Sequence, residues 1–296
     1  MEIDRRDFLK LAGLGGVAFA SALSGCATIS STGSAAEDFF FVQLSDTQWG
    51  FSGPPNPDAR GTLPKSVAAV NSLDQQPDFV MFTGDLTHTT DNPQERRKRL
   101  VEFRDIVTDL KVKNVRFMPG EHDAALDKGQ AYQEFFGPPN YTFDHKGVHF
   151  VVIDNVSDPG ANIGEAQLQW LAADLQKQDK DARIVVFTHR PLFDLMPDWD
   201  WATRDGAKAM ALLMPYSNVT VFYGHIHQEH HHMTGHIPHH AAKSLIFPLP
   251  APGSQPKRAP LAWNAAEPYK GLGFRRVKAE VKQTQYPITE FPVIKA

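Results

Sequence analysis

The chain has 296 residues, of which 42% are hydrophobic and 22% are charged, and its formal net charge is −4. These values are typical of a folded protein with one large domain or two small ones, and they argue against disorder and against general nucleic-acid binding. The single cysteine excludes an internal disulfide, an iron–sulfur cluster and a zinc site built from thiolates.

The first 26 residues have the order of an export signal. Arg5 and Arg6 precede an apolar stretch at 11–23 that is too short to span a bilayer, and Cys26 follows it after two small residues. This order resembles a twin-arginine signal that ends in a bacterial lipobox. It predicts a lipoprotein anchored through Cys26 on the periplasmic side of the bacterial cell envelope, followed by a flexible tether at 27–38. The alternative is an amphipathic first helix with an incidental cysteine.

Five apolar segments each end in side chains that bind metals. Short apolar runs bounded by glycine, proline and polar residues are typical of buried strands. Active sites of α/β proteins collect at the C-terminal ends of strands, so the repeated pattern predicts one shared site. Segment 39–44 leads to Asp46 and Gln48, and segment 78–82 leads to Asp85. Segment 115–118 leads to Glu121, His122 and Asp123. Segment 183–187 leads to His189, and segment 218–223 leads to His225 and His227.

Helical patterns lie between these segments and predict an α/β protein. Apolar residues at helical spacing predict helices over 63–73, 93–110, 165–175 and 205–214. Residues 141–154 are typical of a hairpin that turns near Lys146–Gly147. The basic run at 96–99 is interpreted as a solvated helix face rather than as a binding patch.

The ordered motifs, over roughly residues 39–250, resemble the calcineurin-like metallophosphoesterase superfamily. The resemblance implies a four-layer αββα sandwich of two mixed β-sheets flanked by helices. That domain would span 39–296 and end in a proline-rich extension at 248–296. It also implies two metal ions between the sheets, drawn from Mn, Fe and Zn because the donors are oxygen and imidazole.

Carried over position by position, the resemblance assigns the ligands of both metals. The first metal would take Asp46, Gln48, Asp85 and His227, and the second would take Glu121, His189 and His225, with Asp85 as the bridge. His122 would lie beside the substrate phosphate, and Asp123 would orient or charge it.

The implied reaction is hydrolysis of a phosphomonoester or phosphodiester by a metal-activated water. The alternative is a non-catalytic metal-binding or sensing lipoprotein on the same fold. The expected partner is a phosphorylated small molecule or another phosphoester. Membrane contact is expected through the N-terminal lipid only, no nucleic acid is expected, and the oligomeric state is left open.

Two positions depart from the usual superfamily pattern. Gln48 stands where most members have histidine, and Glu121 stands where they have asparagine. Glu121 adds a negative charge that strengthens cation binding but repels an anionic substrate, which suggests a metal pair of higher charge, such as one that includes Fe³⁺. His88 either supports the first metal, contacts the phosphate or is a plain surface residue.

Eight of the 13 histidines fall between positions 225 and 240. Six of them are outside the predicted metal site and are expected on the next strand and its turn: His230, His231, His232, His236, His239 and His240. Three interpretations of these six residues stay open. They are a loop that gathers metal at the mouth of the site, a set of substrate contacts with His230 as the candidate, or a polar hairpin that faces water.

The C-terminal part is proline-rich from Phe247 and is predicted to be a loop rather than a second domain. Residues 273–281 and a short run to Val293 are expected to add an edge to the second sheet. The pairs Lys257–Arg258 and Arg275–Arg276 either line a substrate rim or lie on a solvated surface.

Overall fold

The computed structural model describes residues 36–294. The predicted signal with Cys26 and most of the tether lie outside the described residues. The strands are β1 (Phe39–Leu44), β2 (Phe79–Thr83), β3 (Val115–Met118), β4 (Tyr141–His145), β5 (Val148–Val152), β6 (Arg183–Phe187), β7 (Asn218–Tyr223), β8 (His230–Thr234), β9 (Ile237–Ala241), β10 (Gly273–Ala279) and β11 (Ile288–Pro292). The helices are α1 (Ala59–Asn71), α2 (Pro93–Val107), α3 (Glu121–Ala124), α4 (Gln130–Phe136), α5 (Glu165–Leu175) and α6 (Gly206–Leu213).

The strands form two mixed sheets. The first has the order β11-β10-β1-β2-β3, in which β1, β2 and β3 are parallel and β10 and β11 run antiparallel to their neighbours. The second has the order β4-β5-β6-β7-β9-β8, in which β5, β6, β7 and β9 are parallel. The parallel strands of each sheet therefore deliver their C-terminal ends to one edge.

The side chains of each central strand alternate between two buried faces. In β1, Phe39 and Phe41 pack between the two sheets, whereas Phe40, Val42 and Leu44 pack outward against helices. Both faces are buried, which is why all residues of this strand except Gln43 are apolar, instead of every second one. Each fully buried phenylalanine contributes about 1.5–3 kcal/mol of transfer free energy.

The two outer layers complete the sandwich. Leu63, Val67 and Phe103, from α1 and α2, cover the first sheet. Leu171 from α5 and Met210 from α6 cover the second sheet. The structure thus confirms the predicted α/β fold with two mixed sheets flanked by helices.

Helix boundaries follow local chemistry. Helix α2 begins at the predicted Pro93, because the Asn92 side chain accepts hydrogen bonds from the amides of Gln94 and Glu95 and proline fits the first turn. Helix α1 begins at Ala59, four residues earlier than predicted. The sequence did not indicate this first turn, because Gly61 and Pro64 have low helix propensity. The short helices α3 and α4 were not predicted.

The hairpin β4–β5 turns at Lys146 and Gly147, as predicted, and both have positive φ, of 45° and 77°. The C-terminal strands are a correction. Strand β10 pairs with β1, so the tail extends the first sheet rather than the second. None of the described helices is long and apolar enough to cross a membrane.

The basic run on α2 also needs a correction. Arg96 is only 7% exposed, and its guanidinium donates to Asp127 at 2.7 Å and to the Thr90 carbonyl at 3.0 Å. Arg99 donates to the carbonyls of His88 and Thr89. These two side chains therefore hold the loop that carries His88, whereas Arg97 and Lys98 remain toward solvent.

Candidate metal centre

The predicted ligands meet where the C-terminal ends of five parallel strands, β1, β2, β3, β6 and β7, come together across the two sheets. Each ligand lies within a few residues of its strand end, and the strands belong to both sheets. Six of them are at most 3% exposed: Asp46, Gln48, Asp85, His189, His225 and His227. Glu121 is half-buried. The structure thus brings together all seven residues assigned to metals from the sequence.

The backbone is strained where these ligands leave their strands. Among the described non-glycine residues, nine have positive φ, and five of the nine are predicted ligands: Asp46, Gln48, Asp85, His225 and His227. Such conformations cost about 1–3 kcal/mol each and persist where the surrounding structure imposes them, most often at functional sites. Gly84 has a φ of 91°, and a side chain there would collide with the His189 ring. The fold therefore holds these residues in unfavourable backbone conformations that direct their side chains into one space.

One group of donors matches the set expected for the second metal. Glu121 bridges two imidazoles, with Oε2 at 2.9 Å from His189 Nε2 and Oε1 at 2.9 Å from His225 Nδ1. One donor atom from each of these residues lies within 4.8 Å of the others. Asp85 Oδ1 is 3.5 Å from His189 Nε2, which is the position expected of a bridging carboxylate.

A second group matches the set expected for the first metal. Asp46 Oδ1 lies 3.3 Å from His227 Nε2. The Gln48 amide contacts Asp85 Oδ2 at 3.3 Å and His227 Nε2 at 3.5 Å. Asp46 also accepts from the backbone amide of His225, so the loop after β1 in the first sheet is bonded to the loop after β7 in the second.

Backbone carbonyls orient the three imidazoles. His189 Nδ1 donates to the Thr83 carbonyl at 2.7 Å, and His227 Nδ1 donates to the Phe247 carbonyl at 2.8 Å, which leaves each Nε2 facing the site. His225 is reversed, because its Nε2 donates to the Asp200 carbonyl at 2.9 Å and its Nδ1 faces the site. A hydrogen bond of this kind on the far nitrogen is typical of metal-bound histidine.

The charges of the site call for cations. Three carboxylates, those of Asp46, Asp85 and Glu121, share a space nearly closed to water, and uncompensated buried charge is costly. Burial and Glu121 raise the pKa of Asp85, but His122 and His189 outweigh them and leave it at about 2. Burial also opposes ionisation of Glu121, yet His225 and His189 hold its pKa well below the usual value.

Buried donor atoms without partners fit bound metals. Among the described residues, Gln48 Oε1, Glu121 Oε2 and His189 Nε2 are buried and make no hydrogen bond. Such atoms are rare in folded proteins unless an ion, water or ligand satisfies them. Oxygen and imidazole donors suit Mn, Fe or Zn, and a carboxylate between the two groups suits a dinuclear centre.

His122 lies at the opening of the centre. Its Nδ1 accepts from the Thr89 amide at 3.2 Å, so its proton sits on Nε2, which is 3.8 Å from Asp85 Oδ2. His88 stacks on the His122 ring with centroids 5.0 Å apart. Burial, followed by the charges of His122 and Arg99, lowers the pKa of His88 to about 4, so this ring is neutral near pH 7.

Asp123 has other contacts than the expected one with His122. Its carboxylate accepts from the amides of Gly120, Leu86 and Thr87 and from the Thr87 hydroxyl, at 2.8–2.9 Å. It therefore holds together the loops after β2 and β3, which carry Asp85 and Glu121.

His230, the candidate for substrate contact, does not line the cavity at the metal centre. Its Nδ1 lies 3.0 Å from the Tyr223 hydroxyl instead.

Arg190 was not predicted as a site residue, whereas Arg258 was predicted either to line a substrate rim or to lie on a solvated surface. Arg190 is 6% exposed, its Nε lies 3.9 Å from Glu121 Oε2, and it pairs with Asp200 at 2.7 Å. Its position directly after His189 was the only signal. Arg258, from the proline-rich loop, lines a cavity of about 240 Å³ together with Gln48, Asp85, His88 and His122. By contrast, Arg275 is buried and paired with Glu290 at 2.7 Å, so it lines no substrate rim.

Comparison with known proteins agrees with this geometry. A sequence profile for the calcineurin-like phosphoesterase family matches residues 41–229. Serine/threonine-protein phosphatase CPPED1 is 28% identical over 183 residues in Danio rerio, covering 54% of this chain and 59% of that protein. The same protein of Mus musculus is 29% identical over 222 residues, covering 64% and 70%. The chain thus spans about three-fifths of the length of the Danio rerio relative.

Two further proteins are informative. A probable glycerophosphodiester phosphodiesterase GpdQ of Arcobacter nitrofigilis is 29% identical over 163 residues, which is 51% of this chain and 56% of that protein. A crystal structure of a dimetal phosphatase from Danio rerio has a TM-score of 0.58 at 15% identity, and covers 87% of this chain and 97% of the other. The second likeness shows a shared fold.

Proposed function

The chain belongs to the calcineurin-like phosphoesterase family, and on that premise we propose that it hydrolyses a phosphomonoester or a phosphodiester with two bound metal ions. The observation that carries the proposal is the convergence of seven ligand-type side chains, five of them on strained backbone, at one sandwich edge. When bound, the ions would supply a nucleophilic water and neutralise the phosphoryl oxygens.

The residues around the centre have distinct tasks in this proposal. Glu121, His189 and His225 would hold one ion, and Asp46, Gln48 and His227 the other, with Asp85 between them. His122 presents its Nε2 proton to the cavity, where it can protonate the leaving oxygen or stabilise its charge. His88, neutral and stacked on His122, fixes the plane of that ring.

Glu121 sets the charge balance that the substrate meets. Its carboxylate repels an anionic substrate. The guanidinium of Arg190, whose Nε lies 3.9 Å from Glu121 Oε2, partly neutralises that negative charge. On the solvent side, Arg258 lines the cavity and supplies a cation for a phosphate oxygen. The two arginines therefore offset the extra carboxylate that the chain carries in place of an amide.

Similarity to the phosphatase CPPED1 supports a phosphomonoester as the substrate, and similarity to the probable phosphodiesterase GpdQ supports a phosphodiester. The test is an assay of Mn²⁺-, Zn²⁺- and Fe-loaded protein with a chromogenic phosphomonoester and the matching diester. Asp85→Asn and His122→Ala are the loss-of-function variants, and Gln169→Ala on α5 is the matched surface control. Metal-loaded wild type that is as inactive as both variants would instead favour the non-catalytic metal-binding alternative.

We extend the proposal to location, on the order of Arg5, Arg6, the apolar stretch and Cys26. The protein would leave the cytoplasm folded and remain on the periplasmic side of the envelope through a lipid on Cys26. Fractionation of cells with palmitate labelling tests this. Cys26→Ser should lose the label and move to the soluble periplasmic fraction, and the double change Arg5→Lys, Arg6→Lys should hold the protein in the cytoplasm.

A further inference from the structure

His231 on β8 and His240 on β9 are direct cross-strand partners in the antiparallel hairpin β8–β9. Their Nδ1 atoms are 2.7 Å apart, and their ring centroids are 4.9 Å apart. We propose that these two imidazoles, termed the hairpin pair, form a binding site for a transition-metal dication such as Zn²⁺, separate from the dinuclear centre. Imidazole is a preferred ligand of such ions.

Glu229 fixes the tautomer that metal binding needs. Its Oε1 lies 3.3 Å from His231 Nε2, so His231 donates from Nε2 and keeps a bare Nδ1 lone pair. Without a metal that lone pair accepts from His240 Nδ1 at 2.7 Å, and a bound ion would take the place of this proton, which moves to His240 Nε2 or to solvent. A carboxylate, then a histidine, then a metal is the usual order around protein-bound zinc. Glu229 is therefore a positioning residue for the hairpin pair.

The separation of the two nitrogens is close to what a shared ion requires. Two nitrogens bound to one tetrahedral Zn²⁺ at about 2.05 Å are about 3.3 Å apart. The His231 side chain is 51% exposed, so its ring can rotate by the small amount needed. Solvent then supplies the remaining ligands from the open side, as at a labile site.

Charges near the hairpin pair are balanced. Glu229 pairs with Lys243 at 3.4 Å, and the buried Arg275 pairs with Glu290 at 2.7 Å. These four side chains carry no net charge together, so they do not repel a dication at the hairpin pair.

The other hairpin histidines cannot join the pair, because residues alternate between the two faces of a strand. His232 stacks on Phe193 with centroids 3.8 Å apart, and His239 packs edge-on against the same ring. His236, at the turn, donates to the Tyr216 carbonyl at 2.8 Å. These contacts make His232 and His236 controls of the same residue type on the same hairpin.

The test is equilibrium dialysis of the full chain, with the dinuclear centre already loaded, against micromolar Zn²⁺. We expect wild type to bind one more Zn²⁺ per chain than His231→Ala, His231→Gln or His240→Ala, and His232→Ala and His236→Ala to match wild type. Glu229→Gln should keep the stoichiometry and raise the Zn²⁺ Kd about ten-fold or more.

Three results would overturn the site. Wild type binds no extra ion, the His231 variants bind as much as wild type, or His232→Ala loses the ion as well. Circular dichroism melting of each variant separates lost binding from lost folding. Because His231 is half-exposed, its variants test the site even if His240→Ala fails to fold. The readout is metal bound, so the result is independent of phosphoesterase activity.

Discussion

Glu121 Oε2 and His189 Nε2 approach to 2.9 Å, and neither atom has a hydrogen-bond partner among the described residues. Glu121 follows β3 of the first sheet and His189 follows β6 of the second, so an ion bound between these two atoms would link the two halves of the sandwich. A carboxylate oxygen and an imidazole nitrogen that face each other in this way could both bind one metal ion. We therefore expect the residue at position 121 to determine how strongly ions are held.

Glu121→Asn should weaken metal retention about ten-fold or more, because it removes one charge and one ligand oxygen from the centre. Elemental analysis of protein purified without added metal measures this, and wild type is expected to carry about two ions per chain, with Fe among them. The same variant, assayed with saturating metal, should show a lower KM for an anionic phosphoester, since the repulsion is gone. Unchanged metal content together with unchanged KM would contradict the role given to Glu121.

His122→Ala should lower kcat by about 10²–10⁴ with the metal content unaltered, because the lost group acts as a proton donor rather than as a ligand. The comparison needs the metal content of both proteins in the same preparation. A parallel loss of ions would show that His122 binds metal, as its distance of 3.8 Å from Asp85 Oδ2 permits.

Asp123→Ala should reduce the free energy of unfolding by about 3 kcal/mol or more, because four donors lose their common acceptor and three of them are buried amides. Urea denaturation with saturating metal gives the value. Thr87→Val, which removes one donor and keeps the carboxylate, is the milder control at about 1 kcal/mol. A fully stable Asp123→Ala with lost activity would return Asp123 to the role of orienting His122.

The placement of the ligands could be predicted because each follows an apolar strand, and strand ends of one sheet share an edge. Their orientation could not. The partners of His189 and His227 are the carbonyls of Thr83 and Phe247, and a backbone carbonyl leaves no mark in the sequence. Asp123 shows the same limit, since adjacency to His122 in the chain says nothing about which donors its carboxylate meets. Arg258 lies in a loop without periodicity, so only the fold brings it to the cavity.

The ion pair between Asp78 and Lys146 predicts part of the acid sensitivity. Asp78 Oδ1 is 2.6 Å from Lys146 Nζ and 3.0 Å from His145 Nε2. Burial raises the pKa of Asp78, and Lys146 and His145 outweigh it, so the folded value lies below 3.8. The unfolded chain therefore binds the proton more readily, and this contribution is present above about pH 4 and is lost as the pH falls below it.

Asp78→Asn isolates that contribution. The stability difference between wild type and variant should be constant from about pH 7 to pH 5 and should shrink toward about pH 3, where the wild-type carboxylate is protonated. Chemical denaturation at several pH values, at one ionic strength, provides the comparison. A difference that grows with acidity would have the opposite sign and would exclude the ion pair as its source.

Arg258→Ala should raise KM for a phosphoester about ten-fold and leave kcat within about two-fold, because an arginine at the cavity wall binds phosphate oxygens in the ground state and the transition state alike. Arg258→Lys should recover only part of the loss, since an ammonium group cannot make the bidentate contact. Lys257→Ala is the matched control: Lys257 is the preceding residue on the same exposed loop, and it does not line the cavity that Arg258 lines. Equal effects of the two alanine variants, or a fall in kcat alone, would mean that the loop acts through its general charge or its conformation and not through a contact between Arg258 and the substrate.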